Sequence, residues 1–333
     1  MDDRALLERL MVGAASGDSL ARDTGLTRAA VWKRIQALRA AGVDIQARPG
    51  HGYRLACPVQ LLDSEAIAAS LSPEVRARIT SIEVAWSIDS SNSELLRQPM
   101  VADGMATVLL AERQTGGRGR RGRTWASPLA AHLYLSVSRR FAGGLVRLAG
   151  LSLVAGIATA EALRARGFDE VRLKWPNDLV VTDGDLLCKL GGVLVEGGGE
   201  HAGPVRAVIG LGLNVSMPAA IGAMIDQPWC DLSQLSPLQP LPSRDAITAS
   251  ILEHWLPALD EFDAAGLEPF LGRYAALDAL AMRPVTLHEG TTKRAVALGL
   301  APDGALRVRA DDGQERHVHS GEVSVRPAAA GSP

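Results

Sequence analysis

The chain has 333 residues, enough for two or three domains that each bury a core. Its hydrophobic content of 47% and charged content of 22% are ordinary for a globular protein and exclude a disordered chain. The net charge of −2 gives no general attraction to nucleic acid or membrane, so any basic site must be local. Its three cysteines are widely spaced, predict no metal centre or disulfide framework, and suit a reducing cytoplasm.

Residues 1–58 predict a winged helix-turn-helix domain. Three helices are expected, with Gly25 in the turn that separates the last two. Two short apolar runs then flank a basic turn and predict a β-hairpin, the wing. The predicted elements are a helix capped by Asp2, a helix over Ser19–Thr24, a helix capped by Thr27 that runs to about Ala40, and strands at Val43–Ala47 and Tyr53–Ala56.

Residues 59–272 alternate strand and helix patterns, which predict a mixed-sheet α/β domain within an α+β multidomain chain. The 14 residues Gly150–Leu163 are too short and too polar to span a bilayer and predict a buried helix. A Pro-rich segment, Ala219–Ser243, predicts a surface loop. The predicted strands are Ile82–Ile88, Ala106–Ala111, His132–Val137, Val171–Trp175, Gly192–Glu196 and Val205–Val215, and the predicted helices are Leu145–Arg166 and Ile247–Phe262.

Residues 273–326 predict a small β-barrel domain, because short apolar runs alternate with turns that contain glycine. The runs are Pro284–Leu287, Ala295–Leu300, Leu306–Ala310 and Glu315–Ser320. The remaining residues, 327–333, predict a disordered tail.

The segment Gln114–Arg123 is the densest concentration of chemistry in the sequence. Four glycines and four arginines lie within Gly116–Arg123, which predicts a mobile loop whose backbone approaches a ligand closely. Arginine offers paired donors to phosphate or carboxylate. The loop is no P-loop, since the pattern GxxxxGK[ST] does not occur in the sequence. A solvated basic loop and an RNA-binding segment are the alternatives.

A second motif, Lys174–Leu179, has the sequence KWPNDL and predicts a turn at the edge of the sheet. Asp178 is of the residue type that holds Mg²⁺ beside phosphates. The chain contains 31 arginines and four lysines, two of which are Lys174 and Lys189. These two positions therefore favour a compact ammonium that holds a carboxylate or phosphate oxygen. A structural turn around Trp175 and chance placement of the lysines are the alternatives.

Two further motifs follow predicted strands. Asp89–Asn92 offers short polar side chains that could hydrogen-bond a polar ring such as a ureido group, or could cap a helix. Gly210–Asn214 has the sequence GLGLN, in which Asn214 could meet an adenine edge or end the strand.

The order of these motifs resembles that of the biotin protein ligases. The similarity extends from about residue 80 to 215, and with the N-terminal domain the chain resembles the bifunctional form, a biotin ligase that is also the biotin operon repressor. The resemblance implies a central domain of the biotin/lipoate ligase type and a C-terminal SH3-like barrel. It further implies that biotin and ATP form biotinyl-5′-AMP, and that a lysine of the biotin carboxyl carrier protein of acetyl-CoA carboxylase then receives the biotin.

The resemblance also assigns site residues. Those expected to contact biotin or the adenylate linkage are Ser90, Ser91, Asn92, Gln114, Arg118, Gly119, Arg120 and Lys189. Those expected on the nucleotide side are Arg121, Arg123, Trp125, Lys174, Asn177, Asp178 and Asn214, with Asp178 as a Mg²⁺ ligand. Arg118, Arg120, Lys189 and Lys174 are the expected catalytic cations. The insertion Asp183–Cys188 makes the register of Lys189 an open question.

The third predicted helix is expected to bind operator DNA in the major groove, with the basic wing on the backbone. Residues 1–60 contain nine basic and six acidic side chains. The candidate DNA-binding residues are Thr27, Arg28, Trp32, Lys33 and Arg34. Retention of the domain for ligase stability or dimer control is the alternative. The resemblance implies a homodimer when the adenylate is bound, and no membrane partner.

Two other functions compete with this interpretation. One is a biotin-sensing transcription factor without ligase activity. The other is a lipoate or octanoate transferase, which would be expected to lack the Arg-Gly loop and the KWPND motif.

Overall fold

A computed structural model describes residues 3–48, 50–142, 144, 148, 150–199, 204–235, 240–289, 291–319 and 324–327. The described residues form two main hydrophobic cores. The first lies in the N-terminal domain, and the second is shared by the central sheet, its helices and the C-terminal strands. The chain therefore combines an N-terminal unit, whose core also takes in Leu129 of the central domain, with two β-containing units that share one core.

The N-terminal domain has the predicted helix-turn-helix. Its helices are α1 (Asp3–Val12), α2 (Gly17–Thr24) and α3 (Arg28–Ala40), followed by the hairpin of β1 (Ile45–Arg48) and β2 (Gly52–Leu55). Gly25 ends α2 in the left-handed conformation, with φ of 67°. The Thr27 hydroxyl caps α3 by accepting a hydrogen bond from the Ala30 amide at 3.2 Å. Asp2, the predicted cap of the first helix, lies outside the described residues.

A mixed sheet of seven strands forms the centre of the molecule, in the order β3-β4-β5-β9-β8-β7-β6. Only β3 and β4 pair in parallel among these strands. The strands are β3 (Ile79–Ala85), β4 (Ala106–Ala111), β5 (Leu133–Phe141), β6 (Arg172–Lys174), β7 (Asp178–Asp183), β8 (Leu186–Gly199) and β9 (Val205–Leu213). This arrangement confirms the predicted mixed sheet.

Helices cover both faces of this sheet. On one face α7 (Leu151–Arg164) and α10 (Arg244–Ala265) bury apolar side chains in the main core. On the other face α6 (Ser91–Arg97) packs Leu95 against Leu109 and Val208 in a small separate cluster. The shorter helices are α4 (Ser64–Ala69), α5 (Pro73–Arg76), α8 (Ala219–Gly222), α9 (Leu232–Leu235) and α11 (Leu271–Leu277).

The C-terminal unit is a five-stranded antiparallel sheet in the order β13-β12-β11-β10-β14, in agreement with the small β domain expected there. Its strands are β10 (Pro284–Glu289), β11 (Thr291–Leu300), β12 (Leu306–Ala310), β13 (Glu315–Val318) and β14 (Ser324–Pro327). The unit contacts the central domain directly, since the Trp175 indole donates to the Gly304 carbonyl at 3.0 Å.

Several predicted boundaries are wrong. The helix expected from Leu145 begins at Leu151, because Gly150 adopts a left-handed φ of 88° immediately before it; residues 145–147 lie outside the described residues. The strand expected over Ile82–Ile88 lies at Ile79–Ala85. Pro327, assigned to the tail, instead pairs with Val285 in the C-terminal sheet, and residues 328–333 are outside the described part.

The predicted surface loop Ala219–Ser243 is also partly wrong. Its middle section is buried: Cys230 is 5%, Asp231 2% and Leu232 0% exposed. The backbone of this section pairs with the central sheet, because the Lys189 amide donates to the Pro228 carbonyl at 2.9 Å and the Cys230 amide donates to the Lys189 carbonyl at 3.1 Å. The absence of periodicity therefore reflected irregular backbone rather than solvent exposure.

Candidate active site

A cleft opens on the face of the central sheet that carries α6, with about 1120 Å³ of empty space that includes its open mouth. All of the residues predicted to bind biotin or nucleotide line this cleft except Asn214. Those that line it are Ser90, Ser91, Asn92, Gln114, Arg118, Gly119, Arg120, Arg121, Arg123, Trp125, Lys174, Asn177, Asp178 and Lys189. Residues from four separate parts of the chain (90–92, 114–125, 174–178 and 189) thus meet in one place.

One wall of the cleft is a buried polar network at the start of α6. The Ser91 amide donates to Gln114 Oε1 at 2.8 Å. The Ser91 and Ser136 hydroxyl oxygens are 2.7 Å apart, and the Ser136 oxygen is 2.6 Å from Asn92 Oδ1. Since each hydroxyl has one proton, a consistent pattern has Ser91 donating to Ser136 and Ser136 donating to Asn92. The network fixes the short side chains that were predicted to face a polar ring.

Two glycines of β9 make room for this wall. A Cβ atom at Gly210 would lie 2.3 Å from Asn92 Oδ1, and one at Gly212 would lie 2.6 Å from Trp125 Cε2. The Asn92 amide therefore lies directly on the backbone of β9, where its Nδ2 donates to the Leu194 carbonyl at 3.2 Å on the neighbouring strand. The glycines of the GLGLN motif thus allow the Asn92 and Trp125 side chains to pack directly against the backbone of β9.

The Arg-Gly loop closes on itself over the cleft. Arg118 pairs with Thr124 in an antiparallel bridge, and the Gly119 amide donates to the Arg123 carbonyl at 2.7 Å. At the tip, Arg121 adopts a left-handed φ of 58°. The Arg120 guanidinium reaches across the cleft and donates to Asn177 Oδ1 at 3.3 Å. The loop therefore forms a hairpin whose arginines contact both sides of the cleft.

Arg118 connects the base of this hairpin to two other elements. Its guanidinium donates to Ser93 Oγ on α6 at 2.8 Å and to both carboxylate oxygens of Glu196 on β8 at 2.9 and 3.1 Å. Glu196 also accepts a hydrogen bond from Asn92 Nδ2 at 2.9 Å. Neither Glu196 nor Ser136 was among the predicted site residues.

The KWPND motif forms the predicted turn, between β6 and β7. Asp178 begins β7, where its Oδ1 lies 2.8 Å from Lys189 Nζ and its Oδ2 lies 4.0 Å from Lys174 Nζ. A register shift between β7 and β8 leaves Leu190 as an extra residue, a β-bulge that turns Lys189 toward the cleft. The structure thus gives Lys189 a position in the cleft despite the longer connection before it.

Asn214 lies beside this cluster, behind Lys189. It is 5% exposed, and its Nδ2 donates to the Cys230 carbonyl at 3.0 Å and to the Lys189 carbonyl at 3.3 Å. The Leu232 amide in turn donates to the Asn214 carbonyl at 3.1 Å. Asn214 therefore joins the end of β9 to the buried section around residue 230, and its contact with an adenine stays a prediction.

The cleft is strongly cationic. Its lining includes four arginines and two lysines, and Asp178 is the sole carboxylate among the described residues that line it. Burial, followed by repulsion from the neighbouring Arg121, lowers the pKa of the Arg120 guanidinium. An anionic ligand such as a polyphosphate or a carboxylate would relieve this repulsion.

The donor set near Asp178 bears on the expected Mg²⁺ ion. The described residues contain no group of three or more His, Cys, Asp or Glu side chains that could enclose a metal. Mg²⁺ usually binds one or two carboxylates and completes its shell with water and substrate phosphates. A single carboxylate in a polyphosphate-compatible cleft fits that type of site, and Asp178 would be its protein ligand.

The candidate DNA-binding surface lies on α3. Trp32 is 57% exposed and Lys33 is also exposed. The Arg28 Nε lies 3.2 Å from Asp18 Oδ1 in an exposed ion pair. Arg34 instead donates to Asp3 of α1 at 2.7 Å, so it stabilises the helix packing in this arrangement. The surface available for a DNA backbone or base edge is therefore centred on Trp32 and Lys33.

No helix among the described residues is long and apolar enough to cross a membrane. This finding agrees with the interpretation of the apolar run Gly150–Leu163, which forms most of the buried helix α7.

Comparisons with known proteins define the class to which this fold and cleft belong. Residues 87–214 match the biotin/lipoate A/B protein ligase family, residues 4–54 match a helix-turn-helix domain, and residues 283–326 match the biotin protein ligase C-terminal domain. The biotin protein ligase from Aquifex aeolicus, solved in complex with biotin and ATP, superposes with a TM-score of 0.61 at 25% identity and covers 75% of this chain and 100% of its own.

Two relatives extend the similarity along the sequence. The bifunctional ligase/repressor BirA of Salmonella typhimurium is 40% identical over 315 residues, which are 94% of this chain and 93% of that protein. The biotin--[acetyl-CoA-carboxylase] ligase of Paracoccus denitrificans is 30% identical over 68% of this chain and 93% of its own length. The chain belongs to the biotin protein ligase family, in the bifunctional form that also carries a helix-turn-helix domain.

Proposed function

We propose that the chain activates biotin with ATP and transfers it to a lysine of the biotin carboxyl carrier protein of acetyl-CoA carboxylase. The observation that carries this proposal is the cationic cleft, in which Arg120, Lys174 and Lys189 surround one carboxylate beside a buried polar wall. The wall suits a neutral polar ring, and the cations suit a carboxylate and phosphates.

In the first step a biotin carboxylate oxygen attacks the α-phosphorus of ATP. The bond between the α-phosphorus and the oxygen that bridges to the β-phosphate breaks, and pyrophosphate leaves. The negative charge that grows on the phosphate oxygens would be stabilised by Arg120 and Lys189, which are held by Asn177 and Asp178. Magnesium bound at Asp178 would neutralise further phosphate charge.

In the second step the carrier lysine amine attacks the acyl carbon of biotinyl-5′-AMP. The acyl carbon–oxygen bond breaks, AMP leaves and the amine loses a proton. Until that lysine arrives, the closed hairpin over residues 118–124 would exclude water from the anhydride. Trp125, which lies on Gly212 with Lys189 Nζ 5.4 Å from its ring centroid, would form the wall against the nucleotide.

A transfer assay tests the ligase. The purified protein is incubated with ATP, Mg²⁺, a carrier domain and either biotin or lipoate, and the carrier is weighed by mass spectrometry. The carrier is expected to gain one biotinyl group with biotin and no mass with lipoate. A gain with lipoate alone would indicate a lipoate transferase, and no gain with either compound would contradict the ligase.

We further propose that the N-terminal domain represses biotin synthesis genes, as a cytoplasmic homodimer that forms when the adenylate is bound. The exposed Trp32 and Lys33 on α3 support this role, because a recognition helix needs unpaired side chains on its outer face. Gel retention on the protein's own upstream DNA is expected to require both biotin and ATP. Equal retention of that DNA and of an unrelated fragment under all conditions would contradict the proposal.

A further inference from the structure

Glu196 is the carboxylate on which the loop and the polar wall converge. It lies on β8, on the same face as Gly192 and Leu194, which line the cleft. It accepts hydrogen bonds from the Arg118 guanidinium through both oxygens and from Asn92 Nδ2 through Oε2. One side chain therefore contacts a residue expected to bind biotin and the base of the loop expected to cover the adenylate.

The position of Arg118 explains why this contact matters for the loop. Arg118 is the first residue of the hairpin and pairs with Thr124, so fixing its side chain fixes both strands at the base. The tip of the loop depends on that base, because Arg120 reaches Asn177 from only two residues further along. If the Arg118 side chain were released, the base of the loop would lose its ion pair with β8, and the tip would lose the support of that base.

The Arg118–Glu196 pair is too exposed to contribute much to the stability of the fold. Its side chains are 36% and 26% exposed, and ion pairs of that exposure are strongly screened by solvent. A pair that contributes little to folding can still select one conformation of a glycine-rich segment, since such a segment has many accessible conformations. Loss of the pair is then expected to change how well the cleft retains its ligand rather than the free energy of unfolding.

We propose that Glu196 is a positioning residue for the reaction: it holds the base of the Arg-Gly loop closed over the adenylate and at the same time orients the Asn92 amide. The proposal rests on the proposed ligase function. Loss of the carboxylate should therefore release adenylate from the cleft before the carrier lysine can use it.

The test compares Glu196→Gln with Glu161→Gln. Glu161 forms a two-point ion pair with Arg273 on α7 and α11, with side chains 31% and 32% exposed, and so matches the Glu196 pair in type and exposure away from the cleft. Each variant receives biotin, ATP, Mg²⁺, a carrier domain and an excess of a lysine-rich bystander protein. Glu196→Gln is expected to increase the ratio of bystander to carrier biotinylation roughly tenfold, because a charge-assisted contact is lost. Glu161→Gln is expected to leave the ratio unchanged.

Trypsin provides a second measurement, since the loop contains four arginines. Without ligands, cleavage within residues 118–123 should become faster in Glu196→Gln and stay unchanged in Glu161→Gln. If Glu196→Gln does not fold, the variant Glu196→Asp, which keeps the charge but shortens the side chain that bridges Arg118 and Asn92, should show the same leakage. Leakage and cleavage equal to those of the unmodified protein would overturn the positioning role. Failure of the unmodified protein to biotinylate the carrier would instead refute the ligase function.

Discussion

Replacement of Gly210 by alanine should weaken biotin binding without straining the main chain. Gly210 is not in the left-handed region, so alanine introduces no strain in the main chain. Its Cβ would, however, lie 2.3 Å from Asn92 Oδ1, whereas ordinary contacts begin at 3.4 Å. The Asn92 amide must therefore move by about 1 Å, which is the difference between these distances.

The cost follows from what Asn92 holds in place. Its amide has contacts at 2.6 Å to Ser136, 2.9 Å to Glu196 and 3.2 Å to the Leu194 carbonyl, and the residue is 4% exposed. A buried polar group that loses its partner costs about 1–3 kcal/mol, so a partly broken set should cost about 2–3 kcal/mol. If half or more of this cost, about 1–3 kcal/mol, appears in the free energy of biotin binding, the dissociation constant for biotin rises roughly five- to a hundredfold.

Titration calorimetry with biotin would measure this effect, and Gly198→Ala is the matched control. Gly198 lies on the neighbouring strand β8, and a Cβ atom there would meet nothing within 4 Å. Alanine at Gly198 should leave biotin affinity unchanged and report any general effect of replacing a strand glycine. Equal biotin affinity in the two variants would refute the argument that Asn92 depends on a bare backbone at position 210.

Four other changes have defined outcomes. Arg120→Gly removes the contact with Asn177 and should increase leakage of adenylate to bystander lysines roughly tenfold, whereas unchanged selectivity would contradict the closed loop. Lys189→Ala should reduce biotin-dependent exchange of pyrophosphate into ATP at least a hundredfold, as expected for loss of a transition-state cation, and near-normal exchange would show that another lysine acts. Lys33→Ala should weaken DNA binding while carrier biotinylation stays normal. The slope of the logarithm of the DNA-binding constant against the logarithm of the salt concentration should become shallower by about one. An unchanged slope would exclude Lys33 from the interface. Burial raises the pKa of the Asp278 carboxyl to about 6 from 3.8, so the folded protein binds this proton more tightly than the unfolded chain does. The contribution of Asp278 to stability therefore falls as pH rises from about 4 to about 6. Asp278→Asn should stabilise the fold by on the order of 2 kcal/mol at pH 8 and not at all near pH 4. Equal thermal midpoints of the variant and the unmodified protein at pH 8 would contradict this.

The cleft could be predicted from the sequence to the extent that its parts are local. The Arg-Gly loop and the KWPND turn are defined by residues that favour turns and close backbone approach, and both formed where expected. The helix-turn-helix was predictable for the same reason, because Thr27 and Gly25 determine the two helix ends within a few residues. Local backbone preferences of this kind do not depend on the rest of the chain.

Glu196 and Ser136 were missed because their role depends on strand register. Ser136 faces Asn92 only because β5 pairs with β9 in a register that places Ser136 opposite Gly210. Leu194 pairs with Gly210 from the other side, which places Glu196 one position further along the same face of β8. The buried section around Cys230 was missed for a related reason, since its partners are the Lys189 backbone and the Asn214 side chain.

The sequence nevertheless contained a usable signal for this arrangement. Gly210 and Gly212 are two residues apart in a strand, so they share one face and leave two adjacent positions of that face without side chains. A bare strip inside a sheet that is otherwise buried must be filled, because a void would forfeit packing on both sides. Asn92 and Trp125 fill it, one from the polar wall and one from the end of the Arg-Gly loop. A pair of glycines with a spacing of two therefore indicates where side chains from distant segments meet, and here that place is the floor of the cleft.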